Sequence, residues 1–317
     1  MKMSENITDL FLSIVIPLYN EEASLNELHS QIVKVMNNMD KDFEIIFIDD
    51  GSTDNSFRTL EKLYTINSNI KVYQFRKNLG KSAALDFGFQ KARGQYIVTM
   101  DADLQDDPKE IPALINKLEE GYHMVSGWKK VRYDPFIKKH TSKIYNFTTS
   151  KVAGIRLHDF NCGLKIYKRE VVKNIRIYGQ MHRYIPVLAH WKGYKVTEIP
   201  VKHHARKYGV TKFGPSRFIA GMLDLITVSF LNRYNKRPLH LFGTIGISSF
   251  LIGMGICLYL AIYWIFIKSS LSNRPILFLG ILLIIVGVQF ISLGLLGEMI
   301  TESKKVHTEY LIDNSLE

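Results

Sequence analysis

Two carboxylates one residue apart, Asp101 and Asp103, followed by the amide of Gln105, make up the stretch of this 317-residue chain best equipped for chemistry. Paired Asp oxygens with a neutral oxygen nearby suit a hard divalent cation, and Mg2+ or Mn2+ fits such ligands. A cation that keeps open positions can bridge a diphosphate and neutralise the charge that builds as a bond to phosphate breaks. Two more polar clusters follow apolar runs: Pro17-Leu18-Tyr19-Asn20-Glu21-Glu22 and Asp49-Asp50-Gly51-Ser52-Thr53-Asp54. Asp50 is placed to accept hydrogen bonds from a base or ribose, and Tyr19 is available to stack. One such cluster alone reads as a strand-to-helix turn, where Asp, Asn, Gly and Ser are common. Three acidic clusters at successive strand ends imply a shared site for a metal and a nucleotide.

The elements that must carry these residues are legible as alternating periods. Runs rich in β-branched and aromatic residues, Leu12 to Ile16, Phe43 to Ile48, Ile70 to Phe75 and Tyr96 to Met100, read as strands. Leu25 to Met39 and Ser56 to Ile66 carry apolar residues three and four apart and read as covering helices. The rhythm is that of an α/β protein with a mostly parallel sheet. Asp54 and Pro108 stand where helices should begin, as a cap and a first-turn residue. In open sheets of this kind the ligand site lies beyond the carboxyl ends of the strands, where all three clusters fall.

The rest of the chain points to a bilayer. Pro238 to Ile267 and Pro275 to Gly297 contain no Asp, Glu, Lys or Arg. At about 1.5 Å per residue each exceeds a hydrocarbon core of roughly 30 Å. Only Lys268 to Arg274 separates them, so they predict a transmembrane hairpin with both flanks on one side. Arg233, Lys236, Arg237, Lys304 and Lys305 outnumber the Lys268 and Arg274 of the loop, which places the flanks in the cytoplasm. Ser216 to Tyr234 mixes apolar residues with Arg217, Asp224 and Arg233, as an interfacial helix would. Met1 to Leu12 lacks the apolar core of a signal peptide, and Cys162 and Cys257 lie in segments too different in character to predict a disulfide. A net charge of +11 calls for an anionic partner. The acidic rim argues against nucleic acid, while basic clusters gather at Lys129, Lys130 and Arg132, at Lys138, Lys139 and Lys143, and at Arg206, Lys207 and Lys212. His140, His158, His203 and His204 have no metal-ligand spacing, and no zinc is expected.

The ordered set Ile16-Pro17-Leu18-Tyr19-Asn20-Glu21, Asp49 to Asp54, Asn78-Leu79-Gly80-Lys81 and Asp101-Ala102-Asp103-Leu104-Gln105 resembles family 2 glycosyltransferases of GT-A fold, and more narrowly the polyprenyl-phosphate glycosyltransferases. The resemblance implies inverting transfer from a nucleotide-sugar donor to a polyprenyl phosphate, with undecaprenyl phosphate expected, at the cytoplasmic face of the inner membrane. Residues 1–213 would form the catalytic domain, 214–235 the interfacial helix, 236–300 the hairpin and 301–317 a cytoplasmic tail. It assigns Pro17, Tyr19, Asn20, Glu21, Asp50, Gly51, Ser52, Lys81, Asp101 and Ala102 to the nucleotide, and Asp101, Asp103 and Gln105 to the metal. Arg206-Lys207-Tyr208-Gly209-Val210-Thr211-Lys212 resembles the family's Arg-x-x-Gly-x-Ser-Lys segment, which puts Arg206 and Lys212 on phosphate. The Lys138 to Ser142 stretch resembles a family loop that pairs a basic residue with a serine, and with Lys130 and Arg132 it completes the expected acceptor side. Asp159-Phe160-Asn161-Cys162-Gly163 resembles the family's Asp-x-x-Ser/Thr/Cys-Gly segment, which sets Asp159 beside Asp103 as a catalytic candidate. A lipid phosphate is already ionised near neutral pH, so Asp159 need not act as a base. His182 and Arg183 match a further family segment, and self-association is compatible with the resemblance. A processive polysaccharide synthase would share the nucleotide and metal motifs, but the chain has no Gln-x-x-Arg-Trp segment. An inactive membrane-tethered nucleotide binder would not need Asp101, Asp103 and Gln105 intact.

Overall fold

The structure is a computed structural model that describes residues 10–130, 146–208, 227, 230, 238–267 and 275–303. The expected interfacial helix falls almost wholly outside these residues, as do Arg132, Lys138, Ser142, Lys212 and the tail beyond 303. The chain divides into two compact units, 1–228 and 229–317.

The first unit is built on a seven-stranded sheet. In chain order it contains β1 (Leu12–Leu18), α1 (Glu22–Met39), β2 (Phe43–Asp49), α2 (Ser56–Ile66), β3 (Ile70–Gln74), α3 (Lys81–Lys91), β4 (Tyr96–Thr99), α4 (Ile111–Glu119) and β5 (Met124–Lys129). After a helical run at 146–153 come β6 (Lys165–Lys168), α5 (Arg169–Asn174), α6 (Ile185–Trp191) and β7 (Val196–Val201). The strand order is β3-β2-β1-β4-β6-β5-β7. β1, β2, β3 and β4 pair in parallel, β5 pairs in parallel with β7, and β6 alone of these strands runs against its neighbours.

Helices cover both faces of the sheet, so β1 and β2 are buried along their whole length, which is why each reads as an unbroken apolar run. α1 buries Leu25, Leu28, Ile32, Val35 and Met36, the stripe its periodicity predicts. Pro108 opens a short 3-10 turn whose backbone the Asp107 side chain caps. Asp54 sits one residue ahead of the cap position of α2 and accepts from Ser56 N–H at 2.9 Å, so it serves the helix start from outside it. A buried ion cluster locks β2 to its neighbours: Glu44, 3% exposed on its side chain, accepts from Ser13 Oγ at 2.7 Å and Arg93 N–H at 2.9 Å, and meets Lys71 Nζ at 2.6 Å.

The second unit is a pair of helices, α7 (Pro238–Ile267) and α8 (Pro275–Ser303), each long and apolar enough to cross a membrane. α8 continues six residues past the expected end at Gly297, through Glu298 and Glu302. The two helices run antiparallel with glycines at the crossing: a Cβ on Gly246 would lie 2.7 Å from the Gly287 carbonyl oxygen, and one on Gly253 would lie 2.6 Å from that of Gly280. Gly246 and Gly253, like Gly280 and Gly287, are seven residues apart, which keeps the small residues on one seam. The other faces present large apolar side chains such as Leu251, Phe266, Phe278 and Met299 to the surroundings, as lipid contact requires.

Candidate active site

The carboxyl ends of β1, β2 and β4 bring the three sequence clusters together. At the first, Asn20 takes a left-handed backbone (φ 54°), donates its N–H to Ser52 Oγ at 2.9 Å and accepts from Thr53 N–H at 2.8 Å. Gly51 has φ 72°, and a Cβ there would strike the Lys77 backbone at 2.7 Å, so the turn after β2 requires glycine. Asp50, expected to meet a base or ribose, here accepts the N–H groups of Leu79 at 2.7 Å and Gly80 at 2.9 Å. It thereby ties the Asn78 to Lys81 loop to β2. Burial raises its pKa against the pull of those two donors.

After β4, Leu104 is held at φ 61°, a conformation that an ordinary side chain rarely adopts. That turn carries Asp103 and Gln105 around together, and Gln105 N–H donates to Asp103 Oδ1 at 3.2 Å. Asp101 and Asp103 each hold a cation: Lys81 Nζ bonds Asp101 Oδ1, and an Arg206 amino group bonds Asp103 Oδ2 at 2.7 Å while lying 3.8 Å from Glu21. Burial opposes the charge on Asp101, but Lys81 and more distant lysines outweigh it and bring its pKa down to about 2. Burial and the charge of Asp101 push Asp103 up, against Arg206. Two carboxylates, one of them destabilised as an anion by the other, suit a divalent cation. Among the described residues no three His, Cys, Asp or Glu side chains form a ready metal cage.

The reversed strand β6 brings a second set of residues to this rim. Its first residue, Lys165, pairs with Thr99 at the end of β4, so the segment leading into it lies against the metal motif. Thr99 Oγ donates to the Gly163 carbonyl at 2.9 Å. A Cβ on Gly163 would sit 2.6 Å from Asp101 Cγ and 2.7 Å from an oxygen of both Asp101 and Asp106, so only glycine permits this approach. Asp106 is 1% exposed on its side chain and is balanced by Lys129 Nζ at 3.2 Å. Burial disfavours the Lys129 ammonium, yet Asp106 and other nearby anions raise its pKa. Lys165 is 4% exposed, donates to the Cys162 carbonyl, and has its pKa lowered by burial. Burial and then the Asp106 charge push the Cys162 thiol up to about 12, which leaves it neutral. Asp159 is 1% exposed, and its Oδ1 accepts from Asn161 N–H at 3.0 Å. His182 shares Ser82 Oγ through both its ring Nδ1, at 2.9 Å, and its backbone N–H, at 3.0 Å. Burial and then Lys81 drive its pKa well below the ordinary histidine range, so the ring is neutral.

The structure thus gathers Asn20, Glu21, Asp50, Gly51, Ser52, Lys81, Asp101, Asp103, Gln105 and Arg206 at one rim. Asp159 and Arg183 lie buried at 1% and 9% exposure. Lys130 is exposed, 5.9 Å from the centre of the Trp128 ring. The inward-facing basic residue of that cluster is its neighbour Lys129, which sequence reasoning grouped but did not select. Lys129 is the last residue of β5, whereas Lys130 lies one residue past its end. Asp106, Lys165 and Glu198 were also missed, because their roles depend on contacts distant in sequence.

The glycosyl transferase family 2 pattern matches residues 13–176. The dodecaprenyl-phosphate galacturonate synthase of Rhizobium johnstonii is 36% identical over 305 residues, 95% of this chain and 90% of that protein. The undecaprenyl-phosphate 4-deoxy-4-formamido-L-arabinose transferase of Shewanella sediminis is 38% identical over 303 residues, 95% and 89% of the two chains. Glucosyl-3-phosphoglycerate synthase from Mycobacterium tuberculosis, solved with Mn2+, uridine-diphosphate-glucose and phosphoglyceric acid, superposes with a TM-score of 0.54 at 18% identity, over 73% of this chain and 85% of that one. That likeness extends to the fold, which is of GT-A type. With its Asp101-x-Asp103 rim, its seven-stranded sheet and relatives that align along nearly its whole length, the chain belongs to glycosyl transferase family 2 and is a glycosyltransferase.

Proposed function

We propose that this enzyme transfers a sugar, with inversion, from a nucleotide-sugar to a polyprenyl phosphate, and that it works as a two-span protein of the inner membrane with its catalytic unit in the cytoplasm. The observation that carries the reading is the junction in one chain of a cation-and-carboxylate rim, Lys81, Asp101, Asp103 and Arg206, with an apolar helical hairpin. The relatives named for dodecaprenyl and undecaprenyl phosphate support it, since they cover the hairpin as well as the sheet.

Asp101, Asp103 and Gln105 would hold Mg2+ or Mn2+, which when bound neutralises charge on the departing diphosphate. Lys81 and Arg206 stand on the same carboxylates, close enough to exchange them for phosphate oxygens. Asn20, Glu21, Gly51 and Ser52 shape the nucleotide side with Pro17, Tyr19 and Ala102. An oxygen of the ionised lipid phosphate attacks the anomeric carbon opposite the leaving diphosphate. The new carbon–oxygen bond forms as the old one breaks, and no proton has to be removed. Asp159 orients the acceptor side through the segment it begins. Lys130, Arg132, Lys138, Ser142 and Lys212 remain the proposed acceptor-phosphate contacts.

Incubating the purified protein with a panel of nucleotide-sugars and undecaprenyl phosphate, with the lipid product identified by mass, tests the proposal. One donor should yield a monoglycosylated lipid phosphate. A polymer, or free sugar with no lipid product, would overturn it. For topology, a cysteine placed at the exposed Ser68 should stay unmodified by an impermeant thiol reagent in intact cells.

A further inference from the structure

Glu198 lies in the middle of β7, opposite Ser126 of β5, with a side chain only 11% exposed. Its two carboxylate oxygens both receive the His158 N–H at 2.9 Å, and one also receives the Asp159 N–H at 3.3 Å. The same carboxylate bonds His158 Nδ1, and the imidazole stacks on Trp128 with centroids 4.2 Å apart and planes 17° from parallel. One side chain therefore fixes both the backbone and the ring at the start of the segment that carries Asp159. The far end of that segment is fixed separately, by Thr99 on the Gly163 carbonyl and Lys165 on the Cys162 carbonyl. Between the two anchors the chain passes Asp159, whose Oδ1 accepts from Asn161 two residues on, and reaches Gly163 against Asp101 and Asp106. A glutamate on an edge strand is ordinarily solvated. Here its acceptor capacity goes to the one segment that joins the acceptor-side aspartate to the metal motif.

We infer that Glu198 is a positioning residue for sugar transfer, which holds Asp159 and the segment from His158 to Gly163 in register with the metal-binding carboxylates. The inference rests on the reading that Asp159 serves the acceptor side. It separates Glu198 from the donor half of the site, so its loss should slow turnover and spare donor binding. Charge-assisted bonds to backbone donors are the kind whose removal shifts a segment, and a displacement of about 1 Å can cost on the order of a hundredfold in rate.

The test uses the full-length enzyme with its nucleotide-sugar and undecaprenyl phosphate, comparing Glu198→Gln, Glu198→Ala, Asp159→Asn and the double variant Glu198→Ala/Asp159→Asn. Glu198→Ala should lower kcat about ten- to a hundredfold while KM for the nucleotide-sugar and the affinity for the nucleoside diphosphate stay within about twofold. Glu198→Gln, which preserves the volume and one acceptor oxygen, should fall between it and wild type. The double variant should be no slower than Asp159→Asn alone, because the two act as one unit. Wild-type kcat in Glu198→Ala beside a slow Asp159→Asn overturns the inference alone, as do losses that multiply in the double variant. Wild-type kcat in Asp159→Asn removes Asp159 from the site and the inference with it.

Discussion

Adding a single methyl group at Gly163 should disable the metal site while leaving the fold in place. The backbone at Gly163 is not in the left-handed region, so alanine is conformationally allowed and the effect is one of space alone. Its Cβ would lie 2.6 Å from Asp101 Cγ and 2.7 Å from an oxygen of Asp101 and of Asp106, whereas heavy atoms at rest stand roughly 3.5–4.0 Å apart. Relief requires about 1 Å of movement. The Gly163 side is pinned by the Thr99 hydroxyl on its carbonyl, and Asp106 is boxed in by Lys129, so Asp101 is the group that gives way. A displacement of that size in a carboxylate proposed to bind the metal corresponds to a loss of about a hundredfold in turnover. Overpacking costs about 1–3 kcal/mol, which lowers the melting temperature of a unit this large by roughly 2–12 °C. The assay pairs kcat with Mn2+ affinity, measured by calorimetry or electron paramagnetic resonance, and with a melting curve. Near-normal Mn2+ affinity and turnover in Gly163→Ala would refute the reasoning, and a collapse of the melting transition would show that the site cannot be separated from the core.

The same geometry fixes three other outcomes. Asp103→Asn should lower turnover by orders of magnitude, with circular dichroism unchanged, and a chelator should silence the wild type; full activity with chelator present would remove the metal from the reaction. Glu44 is a carboxylate whose burial raises its pKa but whose bonds to Lys71, Ser13 and Arg93 N–H win and hold it below the ordinary value of 4.5. A depressed folded-state pKa means that its contribution is complete above about pH 4.5 and is lost as pH falls through the folded value, so denaturant curves of wild type and Glu44→Gln should differ by about 1–3 kcal/mol at pH 7 and draw together as the pH falls below the ordinary carboxylate range. Gly246→Val would thrust a side chain against the Gly287 backbone at 2.7 Å, and it should lower the melting temperature of the detergent-solubilised hairpin while an outer-face change such as Leu251→Val leaves it unaltered.

The parallel half of the sheet was legible because its signals are local. An apolar run, a polar turn and an amphipathic stripe repeat twice before Ile70, and the residue types at the turns already assigned chemistry to Asp50, Asp101 and Asp103. The hairpin was legible for the same reason, through the absence of charge over two long runs. The features that escaped depend on contacts distant in sequence, several of them set by the reversed strand. No period in Lys165 to Lys168 reveals that it runs antiparallel between β4 and β5, and so nothing foretold that Lys165 would be buried or that Gly163 would press on Asp101. Asp50 shows the converse: its type suggested a nucleotide contact, and in the structure its oxygens hold the loop of Leu79 and Gly80. A carboxylate at a strand end serves a ligand and a neighbouring loop with the same two oxygens, and residue identity alone does not divide them.

The reversed strand also places a seam through the enzyme. On one side lie β1 to β4 with the metal motif, all encoded before residue 108; on the other lie β5, β6 and β7, encoded afterwards and joined to the first side through the β4–β6 pairing. Arg206, which follows β7 in the chain, nevertheless returns across the seam to Asp103 and Glu21. The two stretches are therefore constrained to change together, since Gly163, the Thr99 bond, the Asp106–Lys129 pair and the Arg206–Asp103 pair all bridge them.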